Sequence, residues 1–135
     1  MNASVRDLVR HRAAGRCEYC GIPQRHVAYP FQIEHIIARQ HRGPDDPSNL
    51  ALACERCNAY KGPNLSAIDP DTGNIVPLFH PRLNQWHSNF ALREALIIGL
   101  SSVGRATVEL LKMNAPRRVE LRVELGSLAE PPIVR

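Results

Sequence analysis

Two C-x-x-C pairs constrain the fold of this chain more than any other feature. The pairs are Cys17/Cys20 and Cys54/Cys57, and they hold all four cysteines of the 135 residues. Two such pairs, each on a tight turn, are typical of a tetrahedral four-thiolate zinc site. The segment between them is long enough to form a small folded unit. We therefore predict a structural Zn²⁺ that ties the two ends of that unit together.

Two disulfides in a secreted protein are the alternative interpretation of four cysteines. Residues 1–16 are interrupted by charged residues and contain no apolar run typical of a signal peptide. The sequence also contains no apolar run long enough to cross a membrane. We therefore expect a cytoplasmic protein without a membrane partner, whose thiols stay reduced and bind metal.

Basic residues are in excess mainly in the first half of the chain. Residues 1–63 carry nine Lys and Arg against six Asp and Glu, and residues 64–135 carry eight against seven. This excess beside the cysteines indicates a polyanionic partner, and a merely solvated basic face is the alternative. Apolar residues make up 44% of the chain, which supports a limited core that a zinc ion would help to stabilise.

The pattern of apolar and turn residues predicts an α+β fold. Ser4 is expected to cap the first helix, with Asp7 completing a capping box, and Trp86 is expected to anchor the second half on the zinc core. The elements expected in the first half are a helix over 4–14, a strand over 29–36, a loop over 42–48, a strand over 50–53 and a helix over 54–61. Those expected in the second half are a strand over 75–79, a helix over 82–90, a helix capped by Ser102 and a helix beginning at Pro116.

The polar residues within this frame resemble the HNH endonucleases. Glu34-His35 is followed by Asn49, Asn58 and Lys61 at the spacing of that family, and the likeness covers about residues 15–63. The stretch from 78 to 114 is similar to the C-terminal extension of a bacterial subgroup. The resemblance implies a ββα-metal, treble-clef-like core in a single nuclease domain of residues 1–135. The core is flanked by the helix over 4–14 and a C-terminal packing extension over 64–135.

The resemblance also implies a role for each polar residue. His35 becomes the general base, for which an imidazole is suited at physiological pH. Glu34 and Asn58 hold a catalytic Mg²⁺ or Mn²⁺ through oxygen atoms. Asn49 belongs to the catalytic set as a structural member that fixes the loop carrying the histidine. The basic residues expected to bind nucleic acid are Lys61, Arg56, Arg39 and Arg42.

The resemblance thus implies a metal-dependent endonuclease that cuts double-stranded DNA as a monomer or homodimer, and DNA and RNA both stay open as substrates. One alternative is a zinc-knuckle module that binds nucleic acid without turnover. A zinc module for protein interaction is a third class, which the basic first half disfavours. The set Glu34, His35 and Asn58 distinguishes a nuclease from both, since a binding module does not require it. Asn58 stands where the family more commonly has a histidine, so the metal preference stays open.

Overall fold

The computed structural model describes residues 2–132. Its strands form three separate antiparallel pairs. In this part of the chain the helices are α1 (Ala3–Arg12), α2 (Glu55–Lys61), α3 (Trp86–Asn89), α4 (Ser102–Leu110) and α5 (Pro116–Leu125). The paired strands are β1 (Gln32–His35) with β2 (Leu50–Ala53), β3 (Ser66–Ile68) with β4 (Ile75–Pro77), and β5 (Phe90–Arg93) with β6 (Leu96–Gly99). These elements confirm the predicted α+β class.

The ββα unit predicted between the cysteine pairs is present. β1 pairs with β2, in a register that sets His35 opposite Leu50 and Glu34 opposite Ala51, and α2 begins two residues after β2 ends. Every residue of β2 is buried, as a short continuous apolar run predicts. β1 is shorter than the predicted strand over 29–36. It begins after Pro30, which has no N–H to donate to a strand ladder.

The first helix begins and ends earlier than the sequence predicted. Asn2 is its N-cap, and Asn2 Oδ1 accepts a hydrogen bond of 2.9 Å from the backbone N–H of Val5. Ser4 therefore lies inside the first turn, and the expected capping box with Asp7 does not form. Asn is as good an N-cap residue as Ser, and Asn2 lies two residues upstream, so the helix begins before Ser4.

α1 packs against the ββα unit. Val9 is fully buried and Val5 is partly buried against the core. Arg12 Nη2 donates a hydrogen bond of 2.8 Å to the backbone carbonyl of Leu50, the residue opposite His35 in the strand register. These contacts fix the helix beside the strand end that carries His35.

The second half differs from the predicted elements in several places. α3 is a single turn instead of a helix over 82–90, because Phe90 already belongs to β5. The β5–β6 hairpin was not predicted, since its two-residue turn contains neither glycine nor asparagine. Glu94 in that turn adopts the left-handed conformation with φ of 58°. Ser101, and not Ser102, caps α4, and α5 begins at Pro116 as predicted.

The second half packs on the cysteine-containing core. Trp86 Nε1 donates a hydrogen bond of 2.7 Å to the carbonyl of Tyr19, which lies between Cys17 and Cys20. Phe79 packs edge-on against the Tyr19 ring, with ring centroids 6.4 Å apart. The expected role of Trp86 as an anchor is therefore confirmed. Within residues 2–132, no helix combines the length and apolar character needed to cross a membrane.

Candidate functional site

The four cysteines come together in one buried cluster. Their sulfur atoms all lie within 4.8 Å of one another, and none forms a disulfide. The Sγ atoms of Cys20 and Cys54 are 3.8 Å apart. Four Zn–S bonds of about 2.3 Å in a tetrahedron place sulfur atoms about 3.8 Å apart, so the spacing and the all-thiolate donor set fit zinc. The predicted convergence of the four cysteines in one cluster is confirmed.

Local backbone donors support the sulfur atoms. The N–H of Cys20 points to Cys17 Sγ at 3.5 Å, and the N–H of Cys57 points to Cys54 Sγ at 3.4 Å. Cys54 is also the N-cap of α2. A helix N-terminus favours negative charge, so this position stabilises a thiolate.

Arg118, from α5, is a further partner of the thiolate cluster. Its Nη2 donates a hydrogen bond of 2.9 Å to Cys57 Sγ, and its Nη1 donates one of 2.6 Å to the carbonyl of Leu111. Burial lowers the pKa of the Arg118 guanidinium, but the charges of the nearby cysteines outweigh burial and raise it above its usual range. Arg118 therefore stays a cation beside an anionic metal site. Sequence reasoning missed it, because no local pattern links α5 to the cysteines.

His35 lies at the end of β1 with 15% of its side chain exposed. Its Nε2 is 2.6 Å from Oδ1 of Asp45, and Nη2 of Arg39 is 3.2 Å from the same oxygen. The hydrogen bond with His35, and then that with Arg39, holds the pKa of the Asp45 carboxyl below its ordinary value. An ionised Asp45 accepts from Nε2–H, which leaves the Nδ1 lone pair of a neutral imidazole free to take a proton.

Asp45 is a candidate site residue that sequence reasoning missed. It belongs to the segment predicted as a loop from its turn residues, where an aspartate has an ordinary local role. The structure brings this residue across the loop to His35, ten positions away in sequence. Such a contact has no short-range signal.

Asn49 binds the loop that follows His35. Its Oδ1 accepts a hydrogen bond of 2.9 Å from Ile37 N–H, and its Nδ2 donates to the carbonyls of Ile37 at 3.0 Å and Pro44 at 2.9 Å. Gly43 lies so close that an added Cβ would sit 1.6 Å from the Ile37 carbonyl oxygen. This geometry is the bracing arrangement that the resemblance implied for Asn49.

Glu34 is buried on the other side of the strand from His35. It has 6% of its surface exposed, its Oε1 accepts a hydrogen bond from the Tyr19 hydroxyl, and its Oε2 lies 3.4 Å from Lys61 Nζ. Burial raises the pKa of the Glu34 carboxyl, and the nearby Lys61 charge opposes that rise. The carboxylate therefore has an internal countercharge.

Lys61, one of the predicted nucleic-acid contacts, is buried. Only 2% of its surface is exposed, and Nζ donates a hydrogen bond of 2.8 Å to the Ile36 carbonyl besides its contact with Glu34. The ammonium group is thus enclosed by protein atoms. α2 packs its last turn against β1, where a carboxylate and a carbonyl hold the ammonium, and the phosphate contact expected of Lys61 stays a prediction.

Asn58 lies on α2 and is partly exposed. It precedes Lys61 by three residues, so the two side chains lie on the same face of the helix. Glu34 and Asn58 offer oxygen donors, the type that Mg²⁺ and Mn²⁺ prefer. A carboxylate has about four acceptor positions, of which Tyr19 and Lys61 occupy two. The donor set fits a hard divalent cation, with Lys61 as its competitor for Glu34.

A basic depression of about 540 Å³ opens beside His35. Arg39, one of the predicted contacts, lines it together with Arg6 and Arg10 from α1. The other two predicted contacts, Arg42 and Arg56, are exposed but are not among the lining residues. The sequence showed the arginines of α1 only as part of a general basic excess. Their place beside His35 depends on how the helix packs.

Comparison with known proteins identifies one family. Residues 17–64 match the family model described as HNH endonuclease. No curated protein and no solved structure matches the chain significantly. The matched segment begins at the first cysteine and includes β1, β2, α2, Asn49 and the second cysteine pair. The resemblance predicted from the sequence is confirmed over these residues.

Proposed function

We propose that this chain, whose residues 17–64 carry an HNH endonuclease core, is a metal-dependent enzyme that hydrolyses DNA phosphodiester bonds. The observation that carries the proposal is the His35–Asp45 pair at the edge of a basic depression. Phosphodiester hydrolysis needs an activated water and positive charge near the phosphate oxygens. The pair supplies a base, and the surrounding arginines supply the charge.

His35 is the proposed general base. Asp45 accepts a hydrogen bond from Nε2–H and orients the ring, so that Nδ1 takes the proton of the attacking water. The imidazolium that forms is stabilised by the ionised Asp45 carboxylate. Asn49 keeps this geometry by fixing the loop between the two residues. It acts as a positioning residue.

A divalent cation is proposed on the oxygen atoms of Glu34 and Asn58. When bound, Mg²⁺ or Mn²⁺ would supply charge stabilisation for the phosphate and its leaving oxygen. Lys61 lies 3.4 Å from Glu34 and occupies part of the same carboxylate. The affinity of this site therefore depends on how readily Glu34 exchanges its contact with Lys61 for one with the ion.

Binding without turnover is the second candidate function. The basic depression alone would serve a zinc module that holds nucleic acid by its phosphates. Such a module does not need a histidine that is hydrogen-bonded to a carboxylate. The His35–Asp45 contact therefore favours the nuclease.

Incubation of supercoiled plasmid with the purified protein and Mg²⁺ or Mn²⁺ tests the proposal. His35→Ala removes the base, and His41→Ala is a matched control because His41 is exposed in the same loop region. We expect wild type and His41→Ala to nick the plasmid, and His35→Ala to be slower by about 10²- to 10⁴-fold. Zinc content measured for each protein shows that the fold is retained.

An outcome in which wild type binds plasmid but cuts it with neither metal would favour the binding module. Accumulation of nicked circles before linear plasmid would indicate independent cuts by a monomer, since one active site cuts one strand. Linear product formed at once would indicate a dimer. The same assay on labelled RNA distinguishes the two possible substrates.

A further inference from the structure

We infer that α1 is a nucleic-acid-binding element, in which Arg6 and Arg10 hold phosphates of the DNA strand beside His35. The inference rests on the proposed function and extends it to a part of the chain that the family match does not cover. α1 ends at Arg12, and the match begins at residue 17. The site would therefore combine the HNH segment with a helix outside it.

The first support is position. Arg6 and Arg10 are four residues apart in α1, so their side chains lie on one helix face about one turn apart. Both line the depression that also contains His35 and Arg39. Three guanidinium groups thus surround the surface beside the proposed base.

The second support is that these two side chains are not used elsewhere. Arg6 and Arg10 are exposed, and within residues 2–132 neither side chain makes a hydrogen bond or ion pair. Arg12 and Arg16 differ, because their guanidinium groups donate to the backbone carbonyls of Leu50 and Gly21. Arg12 and Arg16 therefore stabilise the fold, whereas Arg6 and Arg10 are free to bind a ligand.

The third support is rigidity. The Arg12 side chain donates a hydrogen bond to the carbonyl of Leu50, the residue opposite His35 in the strand pair. Val9, in the same helix, is fully buried. The direction of α1 is thereby fixed relative to the base. A rigid platform lets the free arginines hold a phosphate without a further loss of backbone entropy on binding.

The chemistry of the lining indicates phosphate oxygens as the ligand. Arginine presents a planar group that bonds two oxygens at once, as phosphodiesters allow. The acidic residue of α1, Asp7, lines a different depression, together with Arg10 and His11. Arg10 lines both depressions, and among the described residues none of those lining the depression at His35 is acidic.

Salt-dependent DNA binding tests the inference. All proteins carry His35→Ala to prevent cleavage, and binding of a labelled duplex is measured by fluorescence anisotropy over a range of salt concentrations. Arg6→Gln/Arg10→Gln is compared with Arg93→Gln/Arg117→Gln, which removes the same charge from exposed positions that line none of the described depressions. Zinc content and circular dichroism establish that each variant is folded.

Arg6→Gln/Arg10→Gln should lose two phosphate contacts. The negative slope of log K against log salt should therefore become shallower by about 1.8, since each contact contributes about 0.9 to its magnitude. The control pair should leave that slope close to that of the parent. An equal decrease in both doubles would show a net-charge effect and overturn the inference, as would no decrease in either. If the His35→Ala parent fails to bind duplex even at low salt, the proposed function itself fails.

Discussion

His35 Nε2 lies 2.6 Å from Oδ1 of Asp45, whose side chain is 62% exposed. The imidazole thus has an exposed carboxylate as its partner, and Arg39 contacts the same carboxylate. Because both partners of Asp45 favour its ionised form, its pKa lies below the ordinary value. This lowered pKa favours the charged carboxylate, the form that accepts a hydrogen bond from the imidazole.

Asp45→Asn should slow DNA cleavage by lowering kcat. The variant keeps the shape of the side chain but cannot stabilise an imidazolium. A hydrogen bond to a charged group contributes about 1.5–3 kcal/mol, so we expect a decrease of about 10- to 100-fold. The decrease should persist across the pH range in which the wild type is active, since the pKa of Asp45 lies below its ordinary value. Single-turnover rates across pH measure it, with the exposed neighbour Asp46→Asn as control. Equal rates for the two variants would contradict the role of Asp45.

Asn49→Asp should loosen the loop that connects His35 to Asp45. The substitution keeps the acceptor for Ile37 N–H but removes the donor to the carbonyls of Ile37 and Pro44. Leaving a buried acceptor without its donor costs about 1–3 kcal/mol, so we expect a loss of this size in the free energy of unfolding. Urea denaturation measures it against Asn74→Asp at an exposed position. A loss no larger than that of the control would show that Asn49 does not brace the loop.

Arg118→Met should release zinc faster. The guanidinium offsets part of the negative charge of four thiolates and donates to Cys57 Sγ at 2.9 Å. Loss of an outer partner of a metal site typically lowers metal affinity about 10- to 100-fold. Transfer of zinc to a coloured chelator measures the change, and Arg117→Met at the exposed neighbouring position is the control. Arg118→Lys keeps the charge and should restore part of the retention. Similar release from both methionine variants would exclude a role for Arg118.

Lys61→Met should destabilise the protein, because it leaves Glu34 buried without its countercharge. Removing one partner of a buried pair costs about 3–5 kcal/mol. Burial already raises the pKa of the Glu34 carboxyl, and without Lys61 that rise is no longer opposed. The folded variant then binds a proton that the unfolded chain releases, so its stability falls as pH rises above the ordinary range of glutamate.

Thermal unfolding at several pH values measures this effect, and Glu34→Gln/Lys61→Met should remove the pH dependence. The single variant Lys61→Met also tests Glu34 as the proposed metal ligand. If Glu34 holds the divalent cation, Mn²⁺ should raise the melting temperature of Lys61→Met more than that of wild type, because its competitor is gone. An equal response of both proteins would argue against Glu34 as a ligand.

Much of the matched core could be predicted from the sequence. The spacing of Cys17, Cys20, Cys54 and Cys57 predicted a single cysteine cluster suited to one metal ion, since short turns direct both thiols of each pair to the same place. The apolar run of β2 and the glycine after α2 placed both elements to within one residue. These features follow from short-range patterns in the sequence, which do not depend on how distant elements pack.

Only the tertiary structure decided which side chains meet at the site. Asp45 reaches His35 across a loop, and Arg6 and Arg10 reach it because α1 docks on Leu50. Arg118 reaches Cys57 from 61 residues away, and Lys61 turns inward to Glu34. The physical reason is that the direction of a polar side chain follows from the charges and carbonyls that long-range packing places beside it. The cysteine spacing is written in the sequence, whereas these contacts form only when distant elements pack together.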